Sequence, residues 1–291
     1  MLCVIRGAGD IATGIALRLW RAGLRVVCCD LPVPTSIRRT VCLSEAIRLG
    51  QARVEDARGV RAETAAEALS VVAGGDIAVM ADPEAACVAE LAPDVVVDAI
   101  LAKRNLGTTR DMAPVVVGVG PGFTAQVDCD ACVETMRGHY LGRVYYTGSP
   151  IPNTAVPGLI GGYAGERVMR APADGVFEPV VEIGDEVVAG QTCATVAGEP
   201  MPATIDGVVR GLLQAGVRVA RGMKSGDVDP RMRPEYAERV SDKALAVGGG
   251  VLEAVLALSG ALGHVAHADA TGEKDAGRVA DTTREDQTKA R

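Results

Sequence analysis

The sequence predicts an α/β fold, a largely parallel sheet wound with helices, followed by a small all-β module and a final apolar helix. Three observations carry this expectation. Short β-branched runs alternate with helically spaced apolar residues through the first half. A glycine turn, Gly7-Ala8-Gly9-Asp10-Ile11-Ala12, separates the first such strand from the first such helix. Residues 174–191, DGVFEPVVEIGDEVVAGQ, align with residues 206–223, DGVVRGLLQAGVRVARGM, at an offset of 32.

The elements follow in order. Cys3 to Arg6 is a short apolar run, Ile11, Ala12, Ile15, Ala16 and Leu19 recur at helical spacing, and Leu24 to Cys29 is a second run ending at Asp30. The pattern continues with a helix over Thr64 to Val72, a strand over Asp76 to Ala81 and a helix over Pro83 to Leu91. Strands are expected at Asp94 to Ile100 and Pro114 to Val119, whose Val-Val-Val runs suit strands buried on both faces of a parallel sheet. From Tyr145 the composition shifts to proline and glycine, a linker or crossing segment. The duplication follows, then Ser241 as a helix cap, and an apolar helix over Val251 to Leu262 after the triplet Gly248-Gly249-Gly250. The expected domains are therefore 1–150 (nucleotide-binding type), 165–230 (duplicated β module), 236–263 (helical segment) and 264–291, a charged tail expected to be disordered.

At 291 residues and 48% hydrophobic composition, two domains are more natural than one. The net charge of −7 argues against a nucleic-acid footprint. No apolar stretch is long enough to span a bilayer and the start runs straight into a strand, so a cytoplasmic protein without membrane association is expected. Eight cysteines in such a chain read as reduced thiols.

Gly7-x-Gly9-x-x-Ala12 between strand and helix is the Rossmann-like fingerprint. Gly7 makes the turn, Gly9 clears the way for a phosphate, and Ala12 lets helix and sheet approach. Asp30 ends the second strand, where a carboxylate can accept from a ribose diol. The same glycines also serve packing alone, and Asp10 inside the loop would repel a pyrophosphate unless it turns away or meets a metal. A second cluster follows the strand ending near Asp98: Lys103, Arg104, Asn105, Thr108 and Thr109 supply donors for an anionic group, or form an ordinary solvated loop. Lys103 and Asp111 are its titratable candidates for catalysis. A third, Gly118-Val-Gly120-Pro-Gly122, can present backbone amides or simply turn. Cys129-Asp-Ala-Cys132 has no second pair and no histidine at ligand spacing, so buried thiols are expected and no metal site is read. His139, His264 and His267 form no triad or zinc motif.

The duplicated module resembles the barrel-sandwich hybrid of biotinyl and lipoyl domains, through Pro172-Ala-Asp174-Gly175-Val176 and Gly184-Asp185-Glu-Val187-Val-Ala-Gly190-Gln191. The resemblance places a modified lysine in the hairpin between the halves. This chain has Ala197-Gly-Glu199-Pro200-Met201 there and no lysine from Asp174 to Met223, which implies a scaffold or docking surface in place of a swinging arm.

Residues 7–14, 98–111, 120–124, 134–139 and 241–250 together resemble the YqeB-type family, named for the selenium-dependent molybdenum hydroxylase system. The resemblance implies an accessory or maturation role, with a molybdenum hydroxylase or its maturation proteins as partners and a family chain ending near the apolar helix. The first expectation is a protein that binds a nucleotide or molybdopterin-type ligand through Gly7, Gly9, Asp10, Ala12, Asp30, Lys103, Arg104, Asn105, Thr108, Gly120 and Gly122. The alternatives are an NAD(P)-dependent oxidoreductase and a non-catalytic interaction scaffold.

Overall fold

The computed structural model describes residues 1–154 and 158–262. The expected disordered tail, with His264 and His267, lies outside the described residues. In chain order the elements are β1 (Leu2–Arg6), α1 (Asp10–Arg21), β2 (Arg25–Cys29), α2 (Glu45–Leu49), β3 (Gln51–Val54), β4 (Ala57–Arg61), α3 (Ala65–Ala73), β5 (Ile77–Met80), α4 (Cys87–Leu91), β6 (Val95–Asp98), β7 (Val115–Val119), β8 (Ala131–Val133) and β9 (Val144–Tyr145). They form one sheet in the order β3-β4-β5-β2-β1-β6-β7-β8-β9. Only the edge strands β3 and β9 run antiparallel to their neighbours. The strand order reverses direction at β1, between β2 and β6, which is where open parallel sheets form a crevice at their carboxyl ends.

The apolar runs explain the core. Every residue of β1, β5, β6 and β7 is buried, as expected for strands covered on both faces. Two expected elements are shorter in the structure. The helix expected over Pro83 to Leu91 begins only at Cys87, because the Asp82 carboxylate accepts from the amides of Ala86 and Cys87 and Ala85 takes a positive φ of 54°. The strand expected to reach Ile100 stops at Asp98, whose side chain accepts from the Ile100 amide. The hairpin β3–β4 and the single-turn α2 carry too few apolar residues at either period to announce themselves.

The second part holds β10 (Val168–Arg170), β11 (Gly175–Pro179), β12 (Glu186–Val187), β13 (Thr192–Val196), β14 (Glu199–Pro202), β15 (Gly207–Leu212), β16 (Arg218–Val219) and β17 (Lys224–Asp229). They make two four-stranded antiparallel sheets, β10-β17-β15-β12 and β14-β13-β11-β16. Advancing each strand of the first half by four converts one order into the other, so the 32-residue repeat is a pseudo-two-fold pair of half-modules that exchange strands. Phe177, Val196, Leu212 and Val228 fill the shared interior.

The last helix corrects an expectation. It runs as α5 (Asp242–Leu258), starting at Ser241, whose hydroxyl accepts from the Ala244 amide, and it passes through the glycine triplet without breaking. The reason is close packing on α1. A Cβ on Gly14 would stand 2.6 Å from Ala244 Cβ, and one on Gly248 would stand 2.7 Å from the Gly14 carbonyl oxygen. Two helices can approach that closely only where both are stripped to backbone.

Candidate functional site

The crevice at the β1/β6 reversal is a cavity of about 610 Å³. Its floor is the glycine turn, its far wall the β module. Gly7, Gly9, Asp10 and Ala12 line it together with Asp30, Ala99, Ile100 and Leu101, and Arg210, Lys224 and Asp227 close it from β15 and β17. Gly7 is required by the turn, since it takes a φ of +115° and a Cβ there would meet the Ala99 carbonyl oxygen at 2.8 Å.

The charged groups of this floor are already organised. Asp30 accepts from the amide of Ala8 at 2.8 Å and of Leu31 at 2.7 Å, and burial, opposed by these two bonds, raises its pKa. One carboxylate oxygen is therefore spent on the turn itself and not held free for a diol. Asp10 turns to the Arg38 guanidinium, with bonds of 3.0 and 2.9 Å from Nη1. Arg38 also donates to the carbonyls of Tyr236 and Arg239, which ties the glycine turn to the segment leading into α5. Its Nε finds no partner among the described residues although the side chain is buried, and neither does that of Arg6. Both arginines line the cavity. Buried donors without protein partners are uncommon and mark places where solvent or a ligand completes the bonding.

The opposite wall is basic by different means. Arg210 donates to Asp227 through Nε at 2.8 Å and pairs with Asp229, while Arg167 reaches the other oxygen of Asp227. Enclosure by the walls lowers the Lys224 pKa; the Asp227 charge opposes this, and the nearby Arg167 and Arg210 charges act with it. A second cavity of about 520 Å³ adjoins the first through Arg38 and Arg210, and adds Arg137, Arg231 and Arg239 against Asp242. An acidic chain thus concentrates cations along one cleft.

The structure assembles only part of the expected site. Gly7, Gly9, Asp10, Ala12 and Asp30 meet in the cavity. Lys103, Arg104, Asn105, Thr108, Gly120 and Gly122 do not line it. Asn105 donates to the Thr108 carbonyl and to Asp128, and Thr108 donates to Asp98 at 2.6 Å beside the buried Arg6–Asp98 ion pair. These polar residues brace their own loop. Gly122 takes a φ of +111° and lets the third cluster pass under the second, since a Cβ there would stand 2.6 Å from Arg104 Cα. A Cβ on Gly120 would strike Thr135. Lys103 stays at the surface, where partial burial lowers its pKa, and Asp111 is exposed and bonded to the Thr109 hydroxyl. Neither reaches the cavity. The cations that do reach it, Arg6, Arg38, Arg210 and Lys224, carry no motif; Arg210 and Lys224 were hidden because they belong to the distant duplicated module.

Cys129 and Cys132 are buried, with sulfurs 3.4 Å apart at the start of a strand, where no helix N-terminus activates them. A second close thiol pair was not legible in the sequence: Cys29 and Cys87, also 3.4 Å apart, with Asp82 beside them.

Fold and cleft define the class: a mixed α/β protein with a mostly parallel sheet and a ligand-sized crevice at its reversal point, roofed by a duplicated antiparallel module. No family model matches the chain. A protein of Escherichia coli (strain K12), described as uncharacterized protein YqeB, is 49% identical over 257 residues, which is 88% of this chain and 48% of the relative. The chain belongs to this YqeB-type family. It spans about half the length of that relative. Among solved structures, a succinylglutamate desuccinylase/aspartoacylase from Rhodobacter sphaeroides shares 30% identity over 22% of this chain and 21% of its own, with a TM-score of 0.20. An aspartoacylase family protein from Mesorhizobium loti shares 13% over 53% and 63%, with a TM-score of 0.24. No helix among the described residues is long and apolar enough to cross a membrane.

Proposed function

We propose that the chain is an accessory protein that binds a phosphate-bearing, nucleotide-type ligand in the cleft between the glycine turn and the duplicated module. The observation that supports it most is the composition of the cavity wall: the turn after β1 faces Arg210 and Lys224 across a volume of about 610 Å³, within the usual range for small-ligand sites. The glycine turn admits close approach of a phosphate, and the Arg6 and Arg38 side chains line the same cavity with positive charge. Service to a molybdenum hydroxylase, with a molybdopterin-type ligand, follows from the family resemblance, and the module would act as a barrel-sandwich docking surface.

A dehydrogenase is the weaker reading. Its ribose-binding carboxylate, Asp30, is engaged by the Ala8 amide, and neither His nor Tyr lines the cavity among the described residues. Titration calorimetry of the full chain with mononucleotides, NAD(P)H and molybdopterin tests the proposal. One saturable site is expected, lost on Gly9→Asp and weakened by about tenfold on Lys224→Ala. Absence of binding by all three classes would overturn it and favour a ligand-free scaffold.

A further inference from the structure

We propose that Cys29, Asp82 and Cys87 form a binding site for a thiophilic divalent cation of the zinc type, with one coordination position open to the cleft. Cys29 is the last residue of β2, Asp82 follows β5, and Cys87 opens α4. β2 and β5 are adjacent parallel strands with Cys29 opposite Met80, so the three donors converge at the carboxyl edge of the sheet. Their donor atoms all lie within 4.8 Å of one another.

The sulfur spacing excludes a disulfide and admits an ion, and the Asp82 carboxylate distinguishes this pair from Cys129 and Cys132, whose sulfurs are equally close. A disulfide needs sulfurs about 2.05 Å apart. Two thiolates on a tetrahedral zinc, at about 2.3 Å each, sit about 3.8 Å apart. The observed 3.4 Å lies within a few tenths of the second value and far from the first. Asp82 is held in place for the third position by the amides of Ala86 and Cys87, the outer support that orients metal-binding carboxylates. Two sulfurs and one carboxylate form a soft, mixed donor set that zinc-like ions accept and magnesium or calcium do not. Cys29 lines the cavity together with Pro83 and Glu84, so the fourth position faces the space where a ligand enters. Sulfur ligates as thiolate, so an ion that binds here displaces the thiol protons to solvent. The site does not depend on which ligand, if any, the cleft holds.

Cobalt(II) titration of the reduced, metal-free full chain under argon reads the site directly. One equivalent should saturate a thiolate-to-cobalt charge-transfer band with the strong visible absorption of a tetrahedral ion, and release about two protons per ion. Cys87→Ser should diminish the band and weaken binding by at least about tenfold, and Asp82→Asn should weaken it while keeping the sulfur band. Cys129→Ser/Cys132→Ser should change nothing. Circular dichroism of each variant checks the fold, and Asp82→Asn, which keeps one of the two amide-accepting oxygens, serves if Cys87→Ser misfolds. No band in the parent chain, a band lost only in the Cys129/Cys132 variant, or ready conversion of Cys29 and Cys87 to a disulfide without cobalt binding would each overturn the proposal.

Discussion

Alanine substitution through the glycine triplet of α5 separates helix propensity from helix packing at three consecutive residues. Glycine-to-alanine in a helix interior is favourable by about 1 kcal/mol, from backbone entropy alone. At Gly249 nothing lies within 4 Å of the added Cβ, so Gly249→Ala should gain that amount. At Gly248 the Cβ would stand 2.8 Å from Arg18 Cγ, which can swing aside, and 2.7 Å from the Gly14 carbonyl oxygen, which is fixed in α1. Overpacking of this kind costs about 1–3 kcal/mol, so the net change is a loss of up to about 2 kcal/mol. At Gly250 the Cβ would come within 2.2 Å of the Gly142 carbonyl oxygen and 2.9 Å of Val133 Cγ1, and the loss should be larger still. Urea unfolding followed by the fluorescence of Trp20, which lies on α1, gives the order Gly249→Ala, parent, Gly248→Ala, Gly250→Ala from most to least stable. Equal stabilisation at all three positions would refute the close α1–α5 contact.

Arg38→Met removes the partner of Asp10 and two bonds to the α5 approach; because Asp10 is 30% exposed, the loss should fall near about 2–3 kcal/mol, short of a fully buried pair, and thermal unfolding measures it. The Arg137 guanidinium holds the Asp242 carboxyl below its usual 3.8, at about 2. A depressed folded pKa means stability present above pH 3.8 and lost as pH falls through about 2, so the gap between parent and Asp242→Asn should close over that window in acid titrations of unfolding. With the Asp242 side chain 74% exposed, the gap at neutral pH should be below about 1 kcal/mol, and a larger one persisting at pH 2 would refute the assignment.

Local chemistry was legible where one segment holds both cause and effect. Gly7, Ile15 and Ala12 reveal the turn and the helix behind it, and the offset of 32 reveals the duplication, though not the exchange of strands between its halves. What failed to show depends on distance in sequence. Asp10 reads as a repulsive charge until Arg38 is seen folded back on it, and the sequence does not show that Lys103 and Arg104 stand outside the cavity, on a loop whose backbone packs on Gly122. The opposite wall comes from residues some 200 positions further on. The Cys29–Asp82–Cys87 cluster was missed for the same reason, since its sulfurs are 58 residues apart and meet only because β2 and β5 are neighbours.

The strand-exchanged repeat gives the protein its own reference state. Each wall residue of the cleft has a counterpart 32 positions earlier: Glu178 for Arg210, Thr192 for Lys224 and Thr195 for Asp227. The counterparts even keep the partnership, since the Thr195 hydroxyl donates to Glu178 at 3.2 Å on the exposed face. One pair of equivalent positions thus makes two contacts, a plain surface one in the first half and a charged one facing the glycine turn in the second. Grafting Glu178 and Thr195 onto positions 210 and 227 would strip the roof of that charged pair while making the two halves more alike.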